Sequence, residues 1–210
     1  MTGGRFITFE GGEGAGKSTQ STRLCEVLHE RGLDVVGPRE PGGSPGAEAI
    51  RELLVQGEPG RWDALSETLL HFAARRDHYI RTIAPALARG DWVVCDRFAD
   101  STTAYQAYGL GVEKAFVSGL YDQVLGEFAP DLTIILDLPV DQGLARSAAR
   151  GGADRYERMD KDFHQRLRDG FLAIAQAEPE RCTVIDAGRD EDWVHDAVLA
   201  LVDVRLADHG

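Results

Sequence analysis

Residues 11–18 constrain this chain more than any other stretch, because they match the phosphate-binding pattern G-x-x-x-x-G-K-[ST]. An apolar run at residues 6–9 precedes them, and a helical pattern containing Leu24 and Leu28 follows. Glycines let backbone N–H groups converge on a phosphate, and the N-terminus of the next helix favours an anion. We predict a strand, a phosphate loop and a helix, with Lys17 reaching the β- and γ-phosphates and Ser18 binding Mg²⁺.

Five short apolar runs alternate with helical patterns along the chain. The runs lie at residues 5–10, 35–36, 92–96, 132–137 and 183–186. This alternation favours the α/β class, with a five-stranded parallel sheet covered by helices on both faces and right-handed crossovers. The chain shows no repeat or interdomain linker, so we expect a single domain over residues 1–210. A nucleotide would then bind at the carboxyl edge of the sheet.

The charge of the chain limits its partners. The formal net charge is −12, which argues against electrostatic binding to nucleic acid or to an anionic membrane. The sequence has no secretory pattern and no apolar run of membrane-spanning length, so we expect a cytoplasmic protein. The three cysteines are far apart and form no C-x-x-C motif, which favours packing roles over a disulfide or a zinc site.

A long helix is predicted from residue 64 to residue 88, because apolar residues recur there with helical spacing. Arg76 falls on the predicted buried face, where an unpaired guanidinium is costly, so it must form an ion pair or serve a ligand. Phe72 lies four residues before Arg76 and shares its face, which would offer a ring to stack on a base and a donor at the base edge. The predicted buried face comprises Leu65, Leu69, Phe72, Ala73, Ile80, Ile83, Ala84 and Leu87.

Several charged residues follow predicted strands at the carboxyl edge of the sheet. Arg39, Arg51 and Arg97 are candidates to neutralise a monophosphate. Asp96 ends a buried strand, where a phosphate-loop enzyme needs a Mg²⁺ ligand. Glu13 would repel a phosphate from inside the loop, which suggests that it binds a sugar hydroxyl or orients an arginine.

Four arginines surround a Gly-Gly pair in residues 146–158. They are Arg146, Arg150, Arg155 and Arg158. This pattern is typical of a lid that closes over phosphates, and a solvated charged loop is the alternative.

The motifs restrict the class of nucleotide-binding protein. The chain contains no asparagine, so it lacks the Asn-Lys-x-Asp motif with which a GTPase reads guanine. A kinase with a second nucleotide site explains the arginines and the aromatic residue best. A kinase acting on UMP, CMP or a nucleoside and a non-catalytic ATP-binding regulator remain as alternatives.

The chain resembles the bacterial thymidylate kinase family over essentially its whole length. The resemblance lies in loop residues 10–19, Arg39-Glu40-Pro41-Gly42-Gly43, Phe72-x-x-x-Arg76, Asp96-Arg97 and Ser101-Thr102-x-Ala104-Tyr105-Gln106. It implies the P-loop nucleoside monophosphate kinase architecture and transfer of the ATP γ-phosphate to dTMP, giving dTDP and ADP for dTTP biosynthesis. It also implies a need for Mg²⁺ and a homodimer.

The resemblance implies roles for individual residues. Phe72 would stack on thymine, Arg76 would donate to its O4, and Tyr105 would exclude a 2′-hydroxyl. The implied ATP-binding residues are Gly11, Gly12, Glu13, Gly14, Ala15, Gly16, Lys17, Ser18 and Thr19. The implied dTMP-binding residues are Glu13, Arg39, Pro41, Arg51, Phe72, Arg76, Arg97, Ser101, Thr102, Tyr105 and Gln106, and the metal ligands are Ser18 and Asp96.

Some members of that family carry a catalytic arginine in the phosphate loop, where this chain has Gly14. The chain resembles the bacterial type in which lid arginines act instead, which implies Arg150 and Arg155, with Arg146 and Arg158 as alternatives. Together with Lys17 and Arg97 they form the expected catalytic set. The acceptor phosphate oxygen is already anionic, so catalysis should come from alignment and charge neutralisation rather than from a strong base.

Overall fold

The five predicted strands form one parallel sheet. A computed structural model describes residues 3–58, 60–151 and 155–206, so residues 152–154 of the predicted lid lie outside the described residues. The strand order is β2-β3-β1-β4-β5, with every neighbouring pair parallel. The predicted fold class is confirmed. The strands are β1 (Phe6–Glu10), β2 (Val35–Val36), β3 (Trp92–Asp96), β4 (Leu132–Asp137) and β5 (Cys182–Asp186).

Helices surround the sheet, and none in the described part of the chain is both long and apolar enough to cross a membrane. Two π-helical segments, Tyr79–Ile83 and Thr103–Gly109, extend the helices beside the sheet. The α-helices are α1 (Lys17–Glu30), α2 (Pro45–Val55), α3 (Ala64–His78), α4 (Ala84–Arg89), α5 (Ala99–Thr102), α6 (Lys114–Leu125), α7 (Val140–Ala149), α8 (Lys161–Ala177) and α9 (Glu191–Leu206).

The central strand β1 is buried on both faces because its side chains alternate between two cores. Ile7 and Phe9 pack with α1 and α9, in a cluster that includes Leu24 and Val198. Phe6 packs on the other face with the cluster around Phe98. Burial on both sides fixes β1, and the phosphate loop that follows it, in the middle of the sheet.

Helix α3 turns a different face to the core from the one predicted. Leu65 and Leu69 are 46% and 48% exposed, whereas the charged residues Glu67 and Arg75 are buried. The helical period was predicted, and Phe72 and Ile83 are buried as expected, but the assignment of the buried face was wrong for Leu65, Leu69 and Ile80. An apolar stripe indicates a surface that will be covered, and the pattern does not say which surface covers it.

Helix α7 touches the phosphate loop at two glycines. A Cβ atom on Gly14 would lie 2.1 Å from the carbonyl oxygen of Gly143, and a Cβ atom on Gly143 would lie 2.4 Å from that of Glu13. Gly14 also has a φ of 69°, a conformation that favours glycine. The loop and the helix therefore pack backbone against backbone.

Gly143→Ala should destabilise the protein, because the new methyl group meets a backbone carbonyl that cannot easily move. We expect the free energy of unfolding to fall by roughly 1–3 kcal/mol, as overpacking does. Gly119→Ala in α6 is the matched control, since its Cβ atom meets nothing within 4 Å and alanine should stabilise that helix by about 0.5–1 kcal/mol. Urea unfolding measures both, and equal stabilisation by the two substitutions would contradict the packing described.

Candidate active site

One cleft at the carboxyl edge of the sheet brings together residues from the phosphate loop, the β2–α2 loop, the β3–α5 loop and the lid. Its volume is about 260 Å³. The predicted site residues that line it are Glu13, Gly14, Gly16, Lys17, Ser18, Thr19, Arg39, Pro41, Arg51, Asp96, Arg97, Ser101, Thr102, Tyr105, Gln106 and Arg150. The residues that line it without having been predicted are Glu40, Val55, His71, Arg75, Phe98, Tyr156 and Glu157.

The phosphate loop has the geometry of an anion site. Gly16, at the N-terminus of α1, has a φ of 89°, so the first N–H groups of the helix follow directly on the loop. Lys17 Nζ donates to the carbonyl oxygen of Gly12 at 2.7 Å. Burial and the nearby Arg97 lower the pKa of Lys17 to about 8. The lysine is thus held inside the loop that it was predicted to serve.

Ser18 and Asp96 lie together, as expected of a Mg²⁺ site. The Ser18 hydroxyl donates to one oxygen of the Asp96 carboxylate, and the other oxygen, Oδ1, is buried without a hydrogen-bond partner among the described residues. Mg²⁺ prefers oxygen ligands and binds through one or two protein groups, substrate phosphates and water. A hydroxyl and a carboxylate with an unused oxygen fit that ion.

Arg97 and Glu13 form a partly buried ion pair within the cleft, at 3.1 Å. Arg97 has a φ of 72°, and its guanidinium also donates to Ser101 Oγ at 3.2 Å and lies 4.9 Å from the centre of the Tyr105 ring. The Tyr105 hydroxyl donates to Glu13. Burial favours a higher pKa for Glu13, but Arg97 and Lys17 outweigh it and hold the value at about 2.

Glu10 supports the backbone that carries Arg97. Its side chain is fully buried, and it accepts hydrogen bonds from the Phe98 N–H at 2.8 Å and from Ser101 Oγ at 2.5 Å. Burial and the neighbouring Asp100 raise the pKa of Glu10 to about 7. The end of β1 is therefore joined to Phe98, which directly follows Arg97, and to Ser101, whose hydroxyl accepts a hydrogen bond from Arg97.

Phe72 and Arg76 lie outside the cleft, contrary to prediction. Phe72 is buried in a small apolar cluster next to α6, and Arg76 is exposed and donates to the carbonyl oxygen of Val124 at 2.7 Å. Consecutive residues of a helix differ by about 100° in direction. His71 and Arg75, each one position earlier, face the cleft instead. They share the aromatic-x-x-x-arginine spacing, so the pattern contained a second reading that was missed.

Arg75 is buried and fixed by three hydrogen bonds. Its Nε donates to Glu40 at 2.8 Å, one terminal nitrogen donates to Thr102 Oγ1 at 2.9 Å, and the other donates to the Phe98 carbonyl at 2.9 Å. A guanidinium carries five N–H groups. These contacts use three of them, which leaves two for a ligand in the cleft.

His71 and Gln106 line the same cleft as Arg75. His71 Nε2 lies 2.9 Å from the Tyr156 hydroxyl, and burial, followed by the nearby Arg75, lowers its pKa to about 3, so the ring is neutral at pH 7. Gln106 Nε2 donates to Glu67 at 2.9 Å, and its Oε1 is buried without a partner in the described chain. The pocket offers a neutral ring, a donor and an acceptor.

The four arginines of the lid go to four different places. Arg146 donates to the Ala187 carbonyl oxygen at 3.0 Å. Arg150 lines the cleft. Arg158 reaches the surface residue Glu58 at 3.1 Å. Arg155 is buried, with one terminal nitrogen 2.5 Å from Glu67 and Nε 3.1 Å from the Leu54 carbonyl. The structure therefore does not support a catalytic position for Arg155, because its guanidinium is engaged by α3 and α2.

Comparisons with known proteins agree on one family. The family model described as thymidylate kinase matches residues 9–198. The chain is 57% identical to the thymidylate kinase of Caulobacter vibrioides, over 98% of this chain and 99% of that protein. It is 50% identical to the thymidylate kinase of Methylococcus capsulatus over the full length of both. A crystal structure of thymidylate kinase from Ehrlichia chaffeensis, 40% identical, superimposes with a TM-score of 0.78 over 95% of this chain and 99% of that one.

Proposed function

The chain belongs to the thymidylate kinase family, and we propose which of its residues bind ATP, which bind dTMP and which assist phosphoryl transfer. The reaction of ATP with dTMP gives ADP and dTDP. The observation that carries this proposal is that one cleft is lined both by the phosphate loop and by the polar group His71, Arg75, Arg97 and Gln106. That residues 1–210 form one kinase domain in the cytoplasm stays a prediction.

The phosphate loop would bind the donor. Residues 11–19 would surround the ATP phosphates, with Lys17 neutralising the β- and γ-phosphates. Ser18 and Asp96 would hold Mg²⁺, which would supply further positive charge at these phosphates when bound. The pKa of Lys17 is about 8 in the absence of a ligand. A bound phosphate would raise this pKa, because a nearby negative charge favours the charged form of the lysine that catalysis needs.

The acceptor phosphate would bind on the opposite side of the loop. Arg97 has the best position, since it already lies between Glu13 and Ser101. Arg39 and Arg51 line the same part of the cleft, and Arg51 donates to the Pro41 carbonyl at 2.8 Å. Holding both phosphates in one orientation lowers the barrier without a general base.

The base would lie in the part of the cleft that is lined by His71, Arg75 and Gln106, which we call the base pocket. His71 would provide the ring face that was predicted of Phe72, and Arg75 the donor to O4 that was predicted of Arg76. The free Oε1 of Gln106 would accept the N3–H group of thymine. Cytosine presents a donor in place of O4 and an acceptor at N3, so it would oppose both groups. Thr102 orients Arg75, and Tyr105 lies over Arg97.

Arg75→Lys should raise the KM for dTMP by roughly tenfold or more, because an ammonium cannot replace a guanidinium held at three points. The neighbouring Arg76→Lys is the matched control and should change it less than twofold. A coupled ADP-release assay with dTMP, dUMP, dCMP, UMP and AMP measures both. Preference for dCMP would contradict the base assignment. Failure to turn over any acceptor would favour the regulator, and full turnover in excess EDTA would contradict the metal assignment.

Arg150 would supply the positive charge that stabilises the transition state. An arginine at position 14 of the phosphate loop could not supply it, since even a methyl group at Gly14 would meet the Gly143 carbonyl. Of the lid arginines described here, Arg150 lines the cleft whereas Arg155 and Arg158 bind Glu67 and Glu58. Preorganised charge next to a transferring phosphoryl group is worth more in the transition state than in the ground state.

Arg150→Met should lower kcat by about 100-fold while the KM for dTMP changes little, in line with loss of one transition-state donor. Arg158→Met removes an equal charge from the same segment and is the control, with an expected change in kcat below twofold. Steady-state kinetics at saturating ATP separate the two. Equal losses of kcat in the two variants would contradict a specific role of Arg150, because they would indicate that only the total charge of the lid matters.

A homodimer would cover the exposed apolar stripe of α3. Leu65 and Leu69 are one helical turn apart and each is nearly half exposed. Phe116 on α6, which is 37% exposed, borders the same groove as Leu65. Contiguous exposed apolar groups of this kind mark protein contact surfaces, and a second copy of the chain presents the same stripe for a two-fold contact.

Leu69→Glu should convert a dimer into a monomer, because it places a charge in the middle of the apolar contact. Val204→Glu is the control, since Val204 is 72% exposed on α9 and far from the stripe in sequence. Light scattering coupled to size exclusion gives the mass of each. A wild-type monomer would contradict the dimer outright, and a dimer that survives Leu69→Glu would move the contact to another surface.

A further inference from the structure

Glu67 connects Arg155 and Tyr156 with Gln106, although Glu67 itself does not line the cleft. It lies on α3, and its side chain is 1% exposed. One oxygen accepts from Arg155 at 2.5 Å, and the other accepts from the Tyr156 hydroxyl at 2.8 Å and from Gln106 Nε2 at 2.9 Å. A buried carboxylate is costly unless it is paired and hydrogen-bonded. Here all its donors come from other elements.

Two of these donors belong to the end of the lid. Arg155 also donates to the Leu54 carbonyl at 3.1 Å, and its backbone N–H donates to the Val55 carbonyl at 3.4 Å. These carbonyls end α2, where helix carbonyls lack partners within the helix and a positive charge is favourable. Glu67 and the end of α2 thus both hold Arg155.

The Glu67 carboxylate also orients two side chains of the base pocket, Gln106 directly and His71 through Tyr156. Its bond to Gln106 fixes which end of the amide remains free, and leaves Oε1 as the acceptor for the base. Its bond to the Tyr156 hydroxyl places that hydroxyl within 2.9 Å of His71 Nε2. Tyr156 in turn packs edge to face on Tyr105, with ring centres 5.2 Å apart.

We propose that Glu67 is a positioning residue that couples the docking of Arg155 and Tyr156 to the arrangement of the base pocket. When these two residues dock on Glu67, the same carboxylate orients Gln106 and, through Tyr156, His71. Without that docking Gln106 would keep its partner, whereas His71 would lose its contact with the Tyr156 hydroxyl. This proposal rests on the proposed function for its substrate, but the docking itself does not require a substrate.

Two single variants and their combination test the coupling. Glu67→Gln keeps the shape of the side chain and removes its charge, and Arg155→Met removes the cation. Each should raise the KM for dTMP by roughly tenfold, the effect of losing a charged hydrogen bond, with the KM for ATP changing less than twofold. The double variant should resemble the worse single variant, because both substitutions break one interaction. Arg158→Met is the control and should leave both constants unchanged.

A second measurement follows the lid without any nucleotide. Trypsin cleavage after Arg150, followed by mass spectrometry, should be at least several-fold faster in Glu67→Gln and in Arg155→Met than in the wild type and in Arg158→Met. An unchanged cleavage rate in folded variants, additive effects in the double variant, or equal rises in both KM values would overturn the proposal. If Glu67→Gln does not fold, Arg155→Met alone decides it. If the lid readout holds while the wild type does not use dTMP, the proposed function fails and the coupling stands.

Discussion

The ion pair between Glu13 and Arg97 is the interaction on which the arrangement of the cleft depends. Lys17 is a buried cation, and the partly buried Arg97 lies close enough to lower the pKa of Lys17. Glu13 opposes this effect. Without that carboxylate the repulsion between the two cations would favour a neutral lysine, which would bind phosphate poorly. Glu13 therefore allows Lys17 and Arg97 to remain charged in one cleft, where they can bind two phosphorylated ligands. A carboxylate in a phosphate loop serves charge balance and so aids electrostatic preorganisation.

Features that depend on local pattern could be predicted from the sequence. The predicted helix over residues 64–88 corresponds to α3, a π-helical segment and α4, which together span residues 64–89. The phosphate loop, the strands and the pairing of Ser18 with Asp96 were also accessible, because the motif and the strand end determine them. The order of the strands was not predicted, since it depends on contacts between elements far apart in the chain.

The direction in which α3 faces could not be predicted from its own residues. Its buried face contains Arg75, which is stable there because Glu40 supplies a buried counterion from a loop 35 residues earlier. Its exposed face contains Leu65 and Leu69. A prediction from hydrophobicity alone therefore buries the apolar residues and exposes Arg75. It differs from the structure by a rotation of about 100° around the helix axis, which directs Phe72 and Arg76 to the cleft in place of His71 and Arg75. Errors of this kind belong to helices that bury charge at a functional site and leave apolar groups for another surface.

The lid shows the same limit at the level of single residues. Its arginines are equivalent in sequence, but residues from other parts of the chain give them different partners. Arg155 is buried because Glu67 lies beneath it, 88 residues away in the chain, and Arg158 stays at the surface with Glu58. The contact of Gly14 with Gly143 closes the alternative source, since α7 occupies the space that a loop side chain would need. In our proposal the transition-state charge comes from a lid arginine that lines the cleft. Among the described residues of the lid that arginine is Arg150, which directly follows helix α7, the helix that occupies the space beside Gly14.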